Sequence, residues 1–278
     1  VSCYRSADLE TWEFRRDVLT TESRTEAIRH RTDLNLMNAG RKVNIERPKV
    51  LLCRQTGKYV MWAHYENGEN YLDARCCIAT CDTPDGDFVY HGSFNPYGYM
   101  SRDCTLFQDD DGKAYFLSAA RDNADLHVYL LSEDLLNVKK HVNTLWQGEY
   151  REAPAVFKRN GKYYIISSYC TGWMPNQGKW AVGSSMEEPF SELAGVGNET
   201  TFDSQPAFVL SLDEDGCQRY VYWADRWCYE GTELIVQEEV GNSMDVYSRS
   251  TYIVLPIQFG EKEEPFIEWT PRFRMRDA

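Results

Sequence analysis

No stretch of these 278 residues approaches the roughly 20 consecutive apolar residues that a bilayer-spanning helix needs, so no membrane association is expected. Positive charge is also in short supply. Thirty Lys and Arg stand against 43 Asp and Glu, for a net charge of −13 and a pI near 4.9. Such a surface repels phosphate backbones, which argues against nucleic acid as a partner and for a neutral or basic ligand. No Pro-, Gly- or Ser-rich linker interrupts the chain, so residues 1–278 read as a single domain. The nine cysteines lack a zinc pattern: Cys77 and Cys81 have no matching pair and no interleaved histidines. Free buried thiols are the default, with one or two disulfides open if the protein is secreted. Asn198-Glu-Thr is the one glycosylation sequon.

What the chain has is aromatic residues, 14% of the total, and a repeat that organises them. Four stretches open with a carboxylate or its amide: Glu46 before RPKVLL, Asp103 before CTLFQ, Glu152 before APAVFK and Gln205 before PAFVLS. Nine to eleven residues later each reaches a turn glycine, at Gly57, Gly112, Gly161 and Gly216, which are spaced 55, 49 and 55 residues apart. Aromatic-rich runs follow: KYVMWAHY, KAYFLSAA, KYYIISSY and CQRYVYWADRW. Each pair of runs around its glycine predicts a β-hairpin. A third strand is expected in ARCCIATC, LHVYLLS, KWAVGSS and SRSTYIVLPIQF, and TPDGDFVYHG, EDLLNVKKHV and MEEPFSELAG lead out of the first three units. Three or four strands per roughly 50 residues is the pattern of propeller blades.

The N-terminal VSCYRSADLETWEFRRDVL matches only the outer half of such a unit. The fold expected is therefore all-β, a five-bladed β-propeller with an incomplete first blade whose inner half lies outside this chain. Residues 21–45 are polar and read as a loop with room for a short helix. DDDG at 109–112 resembles the start of a calcium loop, but no glutamate closes the spacing and a turn is expected. No metal and no cofactor is expected.

In a propeller the first strand of each blade lines the central channel, so Glu46, Asp103, Glu152 and Gln205 are expected to converge on one pocket. A single polar residue at a strand start more often caps a turn or meets water; four in register, three of them carboxylates, favour a site. Paired carboxylates in an aromatic-lined cleft suit glycoside hydrolysis, where one protonated acid serves the leaving oxygen and a partner acts on water or on the sugar. Trp62, Tyr71, Trp173, Trp223 and Trp227 are candidate stacking surfaces. Trp62 and Trp223, inside strand runs, are expected to be packing residues, whereas Trp173 lies in the loop-like CTGWMPNQG.

The motifs SRDCTLFQDDDGKAYF, REAPAVFKRNGKYYIISS, TGWMPN, TFDSQPAF and YWADRW resemble the five-bladed propeller enzymes of glycoside hydrolase family 43, in particular their exo-β-1,3-galactanase branch. The resemblance spans residues 3 to 269. It implies a secreted, extracellular, monomeric enzyme that hydrolyses terminal β-1,3-linked galactose with inversion, its partner being the polysaccharide substrate. It assigns Glu152 as general acid, Asp103 as the residue that tunes and orients that acid, and Glu46 as a ligand of the nonreducing galactose. Gln205 falls where a base would be expected. Tyr71, Asn123, Thr171, Trp173 and Asp225 (in YWADRW) match substrate-binding positions. A catalytically silent carbohydrate-binding propeller is the alternative. An arabinofuranosidase or xylosidase of the same family ranks lower, because those would carry a base aspartate.

Overall fold

The computed structural model of the chain describes residues 1–29, 31–214, 216–227 and 249–271. These residues fall into two compact units, Val1–Gln147 and Gly148–Ala278. Each contains two four-stranded antiparallel sheets of blade type, so the fold is an all-β propeller fold with four blades among the described residues.

In the first unit, β1 (Ser2–Arg5) and β2 (Glu13–Asp17) form a separate two-stranded sheet, and β3 (Met37–Asn38) pairs with β4 (Arg41–Lys42). One blade runs in order through β5 (Asn44–Leu52), β6 (Tyr59–Glu66), β7 (Arg75–Cys81) and β8 (Val89–Phe94). The next comprises β9 (Cys104–Gln108), β10 (Ala114–Ala120), β11 (Asp125–Leu131) and β12 (Val138–Leu145). In the second unit, β13 (Arg151–Arg159), β14 (Lys162–Tyr169), β15 (Lys179–Gly183) and the short β16 (Ala194–Gly195) form one blade. The last contains β17 (Gln205–Glu214), β18 (Cys217–Arg226), β19 (Thr251–Phe259) and β20 (Pro265–Ile267).

All four hairpins expected from the repeat are present: β5–β6, β9–β10, β13–β14 and β17–β18. Their glycines have φ of 72°, 87°, 75° and 82°, which L side chains rarely adopt. At Asn160-Gly161 both residues are left-handed, with φ of 49° and 75°, as a tight hairpin turn requires. DDDG is a turn, with the Gly112 N–H donating to the Asp109 carbonyl at 2.9 Å.

The period-two alternation of a strand sorts the apolar residues into layers. In β6, Val60 and Trp62 face a core with Cys76, Ile78, Cys104 and Phe116, whereas Met61, Ala63 and Tyr65 face another with Val18, Leu36, Ala79 and Tyr90. Trp62 is fully buried and its indole N–H donates to the Leu135 carbonyl at 2.8 Å, so it is a packing residue. Trp223 stacks on Phe208 at 5.6 Å. The second unit has its own core, in which Phe157 stacks on Tyr164 at 5.0 Å beside Tyr220, Tyr222 and Leu255. The eight cysteines among the described residues are free thiols, and Cys228 lies outside them.

Residues 21–45 read as a loop with room for a short helix, and no helix forms there among the described residues. This segment instead covers the edge of β8: the Glu26 N–H donates to the Tyr90 carbonyl at 2.9 Å, the Tyr90 N–H to Arg24 at 2.9 Å, and Thr32 and Ser93 exchange a pair of bonds. A strand edge offers unpaired amides along its length, and satisfying them outweighs the weak local preference for a helix. No helix among the described residues is long and apolar enough to cross a membrane.

Gly161→Ala would put a side chain on a left-handed residue with open space around it. The strain is then purely local, and a loss of about 1 kcal/mol is expected in urea unfolding. A variant as stable as the parent would contradict the turn assignment.

Candidate active site

The four opening residues occupy matching places. Glu46 and Glu152 lie one turn of the pleat before a proline, Asp103 immediately precedes β9, and Gln205 begins β17. After each glutamate the ladder bulges: Arg47 and Pro48 together oppose Ala63, and Ala153 and Pro154 together oppose Ser167. Proline cannot donate to a ladder, and the residue before it takes a left-handed conformation, φ 51° at Arg47 and 50° at Ala153. Such bulges re-aim a side chain. On the second strand of each blade the partners are His64 for Glu46, Ser168 for Glu152 and Asp225 for Gln205, while the Ala119 N–H donates to the Asp103 carbonyl at 2.9 Å.

In the first unit the cluster is ionic. The Tyr71 hydroxyl donates to Glu46 Oε1 at 2.7 Å, and His64 Nδ1 lies 3.4 Å from Glu46 Oε2. On its other side His64 Nε2 donates to Glu66 Oε1 at 2.8 Å. Burial opposes a charge on His64, but these two carboxylates overcome it and push its pKa up to about 9. Burial likewise works to raise Glu46, yet His64, the Tyr71 hydroxyl and Arg47 hold it below its ordinary value. Arg47 forms an ion pair with Asp103 at 3.2 Å. Asn123 is buried and left-handed, at φ 63°, in the turn between β10 and β11.

Glu46, His64 and Asp103 place donor atoms within 4.8 Å of one another, close enough to suggest a cation. In this structure the same atoms are paired within the protein: His64 lies between Glu46 and Glu66, and Arg47 pairs with Asp103.

In the second unit the hydrogen bonds around Glu152 run through neutral groups. Gln205 Nε2 donates to Glu152 Oε1 at 2.9 Å and to Ser168 Oγ at 3.1 Å, and the Trp227 indole N–H donates to Gln205 Oε1 at 2.8 Å. An indole N–H can only donate, which fixes which end of the amide is oxygen. Trp173, Asn176, Asp203, Gln205 and Trp227 line one cavity. The Thr171 hydroxyl donates to the Met174 carbonyl at 2.6 Å and accepts from Asn176 Nδ2 at 2.7 Å, so it shapes the loop that carries Trp173. Asp225 lies opposite Gln205 in β18. Arg151 is buried, donates to the Ser167 hydroxyl at 3.1 Å and to its carbonyl, and burial brings its pKa down to about 10.

The structure thus joins Glu46, Tyr71 and Asp103 in one cluster, and Glu152 and Gln205 in the other. Sequence reasoning passed over His64, Glu66, Arg47, Ser168 and Arg151. A signal for two of them was present: HYE puts two ionisable groups at alternate positions, hence on one face, at the end of an otherwise apolar strand.

A carboxylate-rich propeller with an aromatic-lined cavity has the form of a carbohydrate-active protein, and comparison places it more narrowly. The chain belongs to the glycosyl hydrolases family 43, whose profile matches residues 1–207. It is similar to an exo-β-1,3-galactanase from Clostridium thermocellum, with 40% identity, a TM-score of 0.81 and coverage of 96% of this chain and 55% of that one. It is also similar to a family 43 β-1,3-galactosidase solved with galactodeoxynojirimycin, at 30% identity and a TM-score of 0.83, covering 99% of this chain and 86% of the other. An exo-β-1,3-galactanase of Phanerochaete chrysosporium, solved as a glutamate-to-glutamine variant with β-1,3-galactotriose, is 32% identical with a TM-score of 0.79, over 96% of this chain and 55% of the other. A β-D-galactofuranosidase of Aspergillus niger is 33% identical over 97 residues, 34% of this chain and 28% of the relative. The chain therefore spans about half the length of the two galactanases and under a third of the galactofuranosidase.

The ionic cluster also sets a pH dependence. The folded pKa of His64 lies above its ordinary 6.5, so its stabilising contribution is complete below that value and is lost as pH rises through about 9. The folded pKa of Glu46 lies below its ordinary 4.5, so its contribution is present above that value and is lost as pH falls beneath it. Full strength falls between 4.5 and 6.5. The melting temperature should drop between pH 6 and pH 9, and His64→Gln should flatten that drop; an equally steep drop in the variant would place its origin elsewhere.

Proposed function

We propose that this protein is an exo-acting, inverting glycoside hydrolase that releases terminal galactose from β-1,3-galactan, with Glu152 as general acid. The observation that carries this reading is the Glu152 cluster: a buried carboxylate bonded to the amide of Gln205, within a family 43 chain similar to galactanases. Because Oε1 accepts the Gln205 N–H, the acidic proton belongs on Oε2, where it can pass to the glycosidic oxygen as the bond breaks. Asp103 tunes that acid in this reading, and Glu46 with Tyr71 binds sugar hydroxyls. Trp173 and Trp227 offer apolar ring faces to sugar C–H groups. Gln205 is a weak base, and its three hydrogen bonds suit a residue that positions water and acid.

The β1–β2 pair supports reading the N-terminal stretch as the outer half of a fifth blade. We also propose a secreted, monomeric protein, in line with the extracellular setting of the polysaccharide. The galactofuranosidase likeness covers too little of the chain to redirect the substrate.

On β-1,3-galactobiose, product analysis by anomeric NMR should show galactose released with inverted configuration. Glu152→Gln should cut turnover on the order of 10²- to 10⁴-fold while binding of the disaccharide persists. Wild-type protein that binds the disaccharide without cleaving it would make this a carbohydrate-binding propeller instead.

Asp103→Asn should lower kcat far more than it weakens binding, on the order of 10-fold or more for one displaced carboxylate. Steady-state kinetics with an unchanged kcat would take the tuning role away from Asp103.

A further inference from the structure

Glu66 is the most deeply buried carboxylate in the first unit, with no exposed surface, and it touches no group assigned to substrate. Its two oxygens are divided between two tasks. Oε1 accepts from His64 Nε2 at 2.8 Å, and Oε2 accepts the backbone N–H groups of Asp73 and Ala74, both at 3.0 Å. Through His64 the first arm reaches Glu46 Oε2 at 3.4 Å. The second arm fixes the loop after β6, and that loop carries Tyr71, whose hydroxyl reaches Glu46 Oε1 at 2.7 Å. Ala74 is held at φ 41°, and the Tyr71 carbonyl accepts from Arg102 Nη2 at 2.9 Å, so the loop is tied on both sides.

We propose that Glu66, acting through His64 and through the Tyr71 loop, is a positioning residue that aims both oxygens of Glu46 at the hydroxyls of the terminal galactose. This rests on the sugar-binding role of Glu46 proposed above. A buried carboxylate with a charged imidazole on one side and two amides on the other is strongly ordered, and it fixes the imidazole that forms an ion pair with the next carboxylate. Glu46 is thereby kept as an acceptor-only, ionised group, which selects hydroxyl donors in a fixed geometry. The charged and titratable groups around His64 are Glu46 on β5, Glu66 on its own strand, Cys76 opposite it on β7, Tyr71 from the loop, and Asp103 with its partner Arg47.

The test is Glu66→Gln, which keeps the shape and an acceptor for the two amides but removes the charge that holds His64 protonated. Calorimetry with galactodeoxynojirimycin should give a Kd raised about 10- to 100-fold, the range for losing a hydrogen bond to a charged group. KM for β-1,3-galactobiose should rise alongside, with kcat changed much less. The alkaline limb of the Kd profile should move down from the vicinity of pH 9, a shift that a merely structural residue would not produce. Should Glu66→Gln fail to fold, imidazole ¹⁵N shifts in the wild-type protein decide: a charged His64 at pH 8 supports the inference and a neutral one overturns it. Wild-type Kd, KM and pH limb in a folded Glu66→Gln variant would also overturn it. Wild-type protein that binds the iminosugar but releases no galactose would sink the hydrolase reading alone, and the Kd comparison would still decide this one.

Discussion

A proline that cannot join a ladder is the constraint from which both clusters follow. Pro48 and Pro154 each sit two residues after a glutamate, and each forces the ladder to skip. The intervening Arg47 and Ala153 are driven into left-handed conformations that cost of order 1–3 kcal/mol apiece. An unbulged strand would continue the pleat and point the glutamate along the sheet normal with its neighbours. With the bulge, the strand residues up to each glutamate are released from the alternation that packs the rest of the blade. The buried second strands, β6 and β14, supply the offsetting stability: nearly every residue in them is removed from water.

Given the same architectural position, the chemistry is set by what the second strand places opposite. His64 stands across from Glu46, and the result is a chain of alternating charges running Glu46, His64, Glu66. Across from Glu152 stands Ser168, a neutral donor and acceptor, and the next blade contributes the amide of Gln205. One cluster stabilises an ionised carboxylate with a cation. The other sets a buried carboxylate against the amide dipole of Gln205. Two repeats of one blade have diverged in electrostatics while keeping their backbone path.

How much of this is legible in the amino-acid order depends on the range of the interactions involved. The hairpins were readable because a glycine at a left-handed turn and the runs on either side of it lie within about twenty residues of sequence. The opening polar residues were readable because the repeat aligned them. Arg24, Glu26 and Thr32 were not, since their backbone is paired to β8 some sixty residues away, a contact that local preference cannot announce. Glu66 and His64 were passed over for a related reason: they sit in a run whose aromatic content marks it as core, and their partners are across the strand or in the following loop. Thr171 was expected beside the sugar, and its hydroxyl is bonded within its own loop, where Asn176 and Met174 use it to support the cavity wall that includes Trp173.

The orientation of Gln205 bears on how water is activated in the proposed hydrolysis. With the indole of Trp227 donating to Oε1, and Nε2 donating to Glu152 and Ser168, the amide is fixed in its ordinary tautomer. Turning it into an imidic acid would strip a hydrogen from the nitrogen and put one on an oxygen already facing an N–H. One of the two donor bonds, to Glu152 or to Ser168, would have to reverse, and a donor would be set against the indole donor. Each such unsatisfied group in a buried setting costs about 1–3 kcal/mol. A tautomeric base therefore works against the very network that positions it. In the proposed reading, a glutamine whose carbonyl polarises water while its nitrogen directs the proton on Glu152 works with that network.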